Sequence, residues 1–96
     1  MIIGKVVGSA VATLKHEGLN TTKLLVVRPA DTCGQPLSEA FLAVDLVGAG
    51  EGELVFVSQG SSARMATGSN SSPTDAAIVG ILDSLRVDGA VSFRKE

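Results

Sequence analysis

The side chains that could act as nucleophiles are few, and their spacing does not match a known catalytic set. The candidates are Ser58, Ser61, Ser62 and Cys33, and the single histidine that could serve as their base is His16. The Gly-x-Ser-x-Gly turn that presents a nucleophilic serine in α/β-hydrolases is absent around these serines. The sequence therefore argues against a serine–histidine–aspartate triad and predicts no catalytic residue.

Metal and cofactor chemistry is also disfavoured. A structural zinc site needs about four nitrogen or sulfur ligands, and the chain has one histidine and one cysteine. The run Gly48-Ala49-Gly50-Glu51-Gly52 follows a predicted strand, as phosphate-binding loops do. Its pattern is G-x-G-x-G, an apolar strand follows it, and Glu51 and Glu53 would repel a phosphate. We interpret Gly48, Gly50 and Gly52 as a conformational turn, and we expect no bound metal and no cofactor.

Three aspartates lie in or beside apolar runs, where a carboxylate needs a partner. Asp45 and Asp83 come at or near the ends of such runs, and Asp75 precedes another. They could accept hydrogen bonds from backbone N–H groups at strand ends. Alternatively, they could pair with Arg64 or Arg28 across a subunit boundary, where a guanidinium can make two parallel hydrogen bonds.

The elements that would position these residues are mostly strands. Residues 2–14, 23–28, 37–47, 53–58 and 90–94 are rich in β-branched and apolar residues and are separated by turn residues. Residues 74–85 could form a helix or a strand, and Gly80 among β-branched neighbours favours a strand. Residues 60–65 predict one helical turn with Ser61 or Ser62 as N-cap. Five or six short strands predict an all-β barrel or sandwich, for which a small five-stranded OB-like β-barrel suits this length.

The composition indicates a single small domain and argues against a nucleic-acid-binding protein. The 96 residues predict one domain, 1–96, and 45% of them are apolar, which is more than one small core readily uses. Burial against further copies and a compact monomer rich in small residues both fit this composition. The net charge is −2 and only three aromatic residues occur, all phenylalanine, so nucleic acid is not expected as a partner.

The chain also lacks the usual signs of export or membrane insertion. The N-terminus does not resemble a signal peptide, and no apolar run approaches the roughly 20 residues that span a bilayer. The lone Cys33 fits a reducing cytosol. We therefore expect a soluble intracellular protein with no membrane partner.

Four segments together resemble one known family. They are IIGKVVGSAVATLKHEGL (2–19), KLLVVRPAD (23–31), VDLVGAGEGELVFVSQGSSAR (44–64) and SPTDAAIVGILDSL (72–85). Their order and spacing resemble the EutN/CcmL family, the pentameric vertex proteins of bacterial microcompartment shells, and the resemblance covers nearly the whole chain.

The resemblance implies a fold, an assembly and a role. The fold would be an OB-like β-barrel with one short helix that assembles as a cyclic pentamer. The pentamer would cap the fivefold vertices of a polyhedral shell in the bacterial cytoplasm, of the carboxysome or the catabolic type, with hexameric and pseudohexameric shell proteins as neighbours. The protein would then be a structural protein and not an enzyme.

On this hypothesis Gly60, Ser61, Ser62 and Arg64 are the candidates for a subunit interface or an axial pore. Two other classes stay open from the residues alone. An OB-type module for nucleic acid or sugar would need exposed aromatic residues and a basic groove. A small enzyme with a site between subunits would have to use His16, Cys33 or the acids.

Overall fold

Seven strands and one helix lie in the part of the chain that the structure describes. The computed structural model describes residues 1–11, 23–68 and 73–95. The elements in these ranges are β1 (Ile2–Ala10), β2 (Lys23–Pro29), β3 (Phe41–Asp45), β4 (Leu54–Gln59), α1 (Ser61–Ala66), β5 (Ala76–Ile81), β6 (Ser84–Val87) and β7 (Ala90–Arg94). Strands β1 to β5 close into a barrel in the order β1-β2-β3-β5-β4, while β6 and β7 form a separate hairpin. The predicted all-β barrel with one short helix is confirmed.

The barrel closes through one short parallel contact. All other neighbouring strands in it are antiparallel, whereas β3 and β5 run parallel and pair only at Val44 with Ala77 and at Asp45 with Ile78. The hydrogen bond from Leu46 N–H to the Ile78 carbonyl extends this contact at 3.2 Å. Because parallel strands need a long crossover, the chain between β3 and β5 carries β4 and α1.

The apolar residues form three groups of buried side chains. The main core fills the barrel and consists of Val6, Leu25, Val27, Ala43, Ala49, Val55, Val57, Ala76 and Ile78. A second group lies under the hairpin and includes Leu54 and Leu82. A third lies under α1, where Ala63 contacts Val44 and Ala77. Both the inside and parts of the outside of the barrel are therefore covered.

Several boundaries differ from the sequence prediction. The third strand begins at Phe41 and not at Leu37, because Leu37 N–H donates to the Pro29 carbonyl and the preceding segment forms its own turn. The predicted strand 74–85 divides at Leu82, whose N–H donates to the Leu54 carbonyl before the chain leaves the barrel. The end of the predicted first strand, 12–14, lies outside the described residues.

The helix lies where it is predicted, but its cap is different. Gly60 is the N-cap, with φ 63° and ψ −137°, and no side chain caps the helix. The prediction of Ser61 or Ser62 as N-cap is therefore wrong. A backbone with positive φ favours glycine, so the reversal falls on Gly60 and both serines lie in the first helical turn.

Candidate functional site

The segment predicted as an interface, 60–64, forms the start of α1. Gly60 N–H donates to the Asp75 carbonyl at 2.8 Å, so the turn between β4 and α1 is tied to the entry of β5. Ser61 and Ser62 are exposed, Ala63 is fully buried and Arg64 is half-buried. The buried alanine anchors the helix, which leaves the two serine hydroxyls at the surface.

Arg64 has no acidic partner within residues 1–11, 23–68 and 73–95. The ion pair found in this part of the chain joins Lys95 to Glu53. The carbonyl of Arg64 accepts a hydrogen bond from the Thr67 hydroxyl at 2.6 Å, which involves the backbone only. Among the described residues the Arg64 guanidinium therefore forms no ion pair. Arg28, the other candidate cation, donates its Nε–H to the Ser38 carbonyl at 2.9 Å.

Asp45 caps the glycine turn through its carboxylate. Its Oδ1 accepts hydrogen bonds from the N–H groups of Val47, Gly48 and Ala49 at 3.1–3.2 Å, and its Oδ2 accepts from Ala49 at 3.0 Å. The sequence left two alternatives for Asp45, hydrogen bonds from backbone N–H groups or pairing with an arginine, and the structure shows the first. Asp75 and Asp83 are exposed, and among the described residues neither forms an ion pair with an arginine.

The glycine run uses its three glycines in different ways. Gly48 and Gly52 have φ of 77° and 89°, in the left-handed region, whereas Gly50 lies outside it. Gly50 N–H donates to the Glu53 Oε1 at 2.6 Å, and Gly52 N–H donates to the Val6 carbonyl at 2.7 Å. Acidic side chains and intramolecular partners thus occupy the donors that a phosphate would need.

The candidate nucleophiles are distributed over separate connections. Cys33 lies in the turn after β2, Ser58 is buried in β4, and Ser61 and Ser62 start α1. His16 lies outside the described residues. No group of three or more potential metal ligands occurs among the residues that the structure describes. Helices long and apolar enough to cross a membrane are likewise absent from those residues.

Two surface depressions were not foreseen from the sequence. An open cleft of about 460 Å³ separates the hairpin from the barrel and is lined by Glu51, Gly52, Glu53, Leu54, Phe93, Arg94 and Lys95. A smaller groove of about 150 Å³ runs along β3 and is lined by Leu24, Leu42, Val44, Pro73, Thr74, Asp75 and Ala76. Each depression is lined by residues that lie far apart in the sequence. It could have been predicted only from the way in which the strands pair.

The cleft contains a salt bridge between the barrel and the end of β7. Lys95 Nζ lies 2.5 Å from Glu53 Oε2. The hydrogen bond from Lys95, assisted by the one from Gly50 N–H, lowers the pKa of Glu53, and the same bond to Glu53 raises the pKa of Lys95. Both side chains are at the surface, so the pair orients the hairpin without dominating stability.

The sign of these shifts predicts a pH dependence of hairpin attachment. A carboxylate with a lowered pKa stabilises the folded arrangement above its unfolded pKa, and this contribution is lost as pH falls through the folded pKa. The contribution from Lys95 is present below its unfolded pKa and is lost as pH rises through the raised value. We expect the NMR shifts of Lys95 to change on acidification. Glu53→Gln should remove this acid transition, and an unchanged transition in that variant would contradict the assignment.

Comparison with known proteins identifies the family. The family model described as "Ethanolamine utilisation protein EutN/carboxysome" matches residues 1–83. The bacterial microcompartment shell vertex protein GrpN of Rhodospirillum rubrum is 51% identical over 85 residues, which cover 88% of this chain and 96% of GrpN. The shell vertex protein EutN of Salmonella typhimurium is 42% identical, with 99% and 96% covered. The carboxysome shell vertex protein CcmL of Synechocystis is 43% identical, with 99% and 95% covered.

Solved structures agree with these sequence matches. An ethanolamine utilization protein EutN superposes with a TM-score of 0.92 at 42% identity, and the alignment covers 100% of both chains. The structure described as the pentameric microcompartment shell protein GrpN has a TM-score of 0.82 at 47% identity, with 91% of this chain and 99% of GrpN covered. The resemblance drawn from the sequence is therefore confirmed.

Proposed function

Because the chain belongs to the EutN/CcmL family, we propose that it is a structural shell protein whose homopentamer caps the fivefold vertices of a polyhedral bacterial microcompartment. The observation that carries the proposal is the similarity, over 88–99% of this chain, to three proteins named as shell vertex proteins. One of them, GrpN, is described as pentameric. Identity to EutN and to CcmL is nearly equal, so the proposal concerns the vertex position in a catabolic or a carboxysome shell and not a particular cargo.

The geometry of a closed shell explains why such a subunit is needed. A flat sheet of hexamers cannot close into a polyhedron without fivefold points, so a few pentamers decide whether a sealed particle forms. The partners are hexameric and pseudohexameric shell proteins of the same compartment, and the location is the shell in the bacterial cytoplasm. The role requires no catalysis and no cofactor, and it involves neither nucleic acid nor membrane.

The surface of the subunit supports assembly as its mode of action. A closed ring uses a heterologous interface, in which one patch of each copy meets a different patch of its neighbour. Several large apolar side chains are exposed on the isolated chain, among them Leu42 at 51% and Met65 at 71%. A typical interface buries about 800 Å² on each partner, so two such patches would cover roughly a quarter of the 5774 Å² surface.

Within this assembly we assign the start of α1 to subunit contacts. Gly60 sets the reversal, Ser61 and Ser62 present hydroxyls at the surface, and Arg64 carries a guanidinium that has no ion pair in the described part of the chain. The turn glycines Gly48, Gly50 and Gly52 act through backbone conformation and not through ligand contacts. A half-buried arginine is suited to bidentate pairing across a boundary.

Replacing Arg64 with alanine is expected to weaken association of the subunits about tenfold, since a charge-assisted hydrogen bond would be lost. Native mass spectrometry over a dilution series measures the change. Arg64→Lys keeps the charge but loses the paired N–H donors of the guanidinium. The dissociation constant of its pentamer should therefore lie between those of the unmodified protein and of Arg64→Ala. An Arg64→Ala pentamer as resistant to dilution as the unmodified protein would remove Arg64 from the interface.

The function itself is tested by co-producing the chain with shell hexamers. Electron microscopy should show closed polyhedral particles when the chain is present and open or extended assemblies when it is omitted. The purified chain should have the mass of five subunits. A monomeric mass together with closed particles in its absence would overturn the proposal.

A further inference from the structure

The groove beside β3 is an opening in the outer surface of the subunit. It has a volume of about 150 Å³ and runs between β3 and the segment that leads into β5. Its wall is mostly apolar, and Leu24, Leu42, Val44 and Ala76 contribute to it. The volume is well below the roughly 300–1,000 Å³ of sites that bind small-molecule ligands. The size of the groove therefore suits a single side chain of another protein chain.

Asp75 adds one acidic group to the wall of this apolar groove. The residue is exposed, and its backbone carbonyl accepts the hydrogen bond from Gly60 N–H at 2.8 Å. Among residues 1–11, 23–68 and 73–95, Asp75 takes part in no ion pair. A carboxylate beside an apolar groove favours an occupant that combines an apolar side chain with a neighbouring cation.

Two adjacent residues of α1 provide this combination. Met65 is 71% exposed, and Arg64 is half-buried and forms no ion pair in the part of the chain that the structure describes. Successive residues of a helix are rotated by about 100°, so Met65 lies on the side of α1 opposite to the buried Ala63. Methionine and arginine are both enriched in protein interfaces, and the flexible methionine side chain fills irregular gaps.

The helix and the groove lie side by side on the subunit. Ala63 packs against Val44 and Ala77, and Val44 also lines the groove. Because Met65 points away from its own barrel, the groove and Met65 need contacts from other copies. In a closed ring each copy presents one patch to one neighbour and a different patch to the other. Two patches that lie side by side can meet near the rotation axis, where the copies converge.

We propose that Met65 of one copy enters the groove of the next copy in the ring, and that Arg64 pairs there with Asp75 of that next copy. This inference rests on the proposed pentamer and specifies one contact within it. The methionine side chain removes Leu24 and Leu42 from water, and the guanidinium gives the exposed carboxylate a partner. The apolar contact and the ion pair come from adjacent residues, so they fix the register of the two copies together.

Exchanging the two charges tests the ion pair. Arg64→Asp and Asp75→Arg each place like charges opposite one another, so each should weaken association of the subunits about tenfold or more. The double exchange should restore most of the affinity, because opposite charges then meet again. Glu39→Arg is the matched control, since Glu39 is exposed and does not line the groove, and it should not rescue Arg64→Asp.

The dissociation of every charge variant is measured by native mass spectrometry over a dilution series. Circular dichroism verifies that each variant is folded. A double exchange that associates no better than Arg64→Asp alone would overturn the proposed pair.

Cross-linking then shows which copies are in contact. Met65→Cys and Leu42→Cys are combined in a Cys33→Ser background, which removes the one native thiol, and the pentamer is treated with a short bismaleimide. A ladder up to five subunits supports the contact, whereas variants with a single thiol can give dimers at most. Cross-links confined to single subunits, or a pentamer that gives no ladder, overturn the inference and leave the proposed function intact. A monomeric unmodified protein would overturn the proposed function itself.

Discussion

Replacing Asp45 with alanine is expected to lower the free energy of unfolding by about 3 kcal/mol. The carboxylate accepts hydrogen bonds from three consecutive N–H groups, those of Val47, Gly48 and Ala49. Ala49 is buried at 2% exposure and belongs to the barrel core. Its N–H would lose both carboxylate oxygens, so the loss should exceed that of an ordinary surface cap.

The matched control is Asp45→Asn, which keeps one carbonyl oxygen for the same donors. We expect it to lose about 1 kcal/mol, since the charge and the second acceptor are gone. Urea denaturation measures both variants at one protein concentration, because association of subunits adds to the apparent stability. An Asp45→Ala variant as stable as the unmodified protein would show that the carboxylate does not act as a cap.

Most of the barrel strands were predictable because each carries its own local signal, whereas β6 was not distinguished from β5. Runs of β-branched residues and the glycine turns between them indicate barrel strands whatever their partners are. The Asp88-Gly89 pair likewise predicts a two-residue hairpin turn, and both residues have positive φ, 52° and 80°. The membership in the family was equally accessible, because the motifs that carry it are contiguous in the chain.

Contacts between distant segments were not predictable in the same way. The Glu53–Lys95 pair joins residues 42 positions apart, and nothing in either local sequence selects the other. The choice for Asp45 between backbone donors and an arginine depended on the path of the turn after β3, which the glycines allow but do not determine. Ser61 and Ser62 have side chains suited to capping, yet the positive φ at the reversal required glycine one position earlier.

The two glycines inside β1 show what could be predicted from the sequence and what could not. Gly4 and Gly8 suggest a bulge or a close approach of the backbone, without saying which glycine does which. In the structure the register shifts between Val6 and Gly8, so the bulge lies next to the second glycine. A Cβ atom at Gly4 would collide with the side chain of Val27, so this glycine permits close packing inside the barrel.

Truncation of Ile78 to alanine should destabilise the subunit by about 4 kcal/mol, near the upper end of the range for buried isoleucine. Ile78 is fully buried in the main core. It also lies at the short parallel contact that closes the barrel, where it pairs with Asp45 on one side and with Val57 on the other. A cavity at this position cannot be filled by movement of one strand, because β5 is held on both edges.

Ile78→Val is the matched control, since it removes one methylene group and keeps the β-branched shape, and we expect it to lose about 1 kcal/mol. Because the total stability of a domain this size is about 5–15 kcal/mol, the alanine variant should approach global unfolding and lose its ring with it. Thermal denaturation and native mass spectrometry should therefore change together. If Ile78→Ala loses no more stability than Ile78→Val, the side chain of Ile78 does not stabilise the core in the way that its burial indicates.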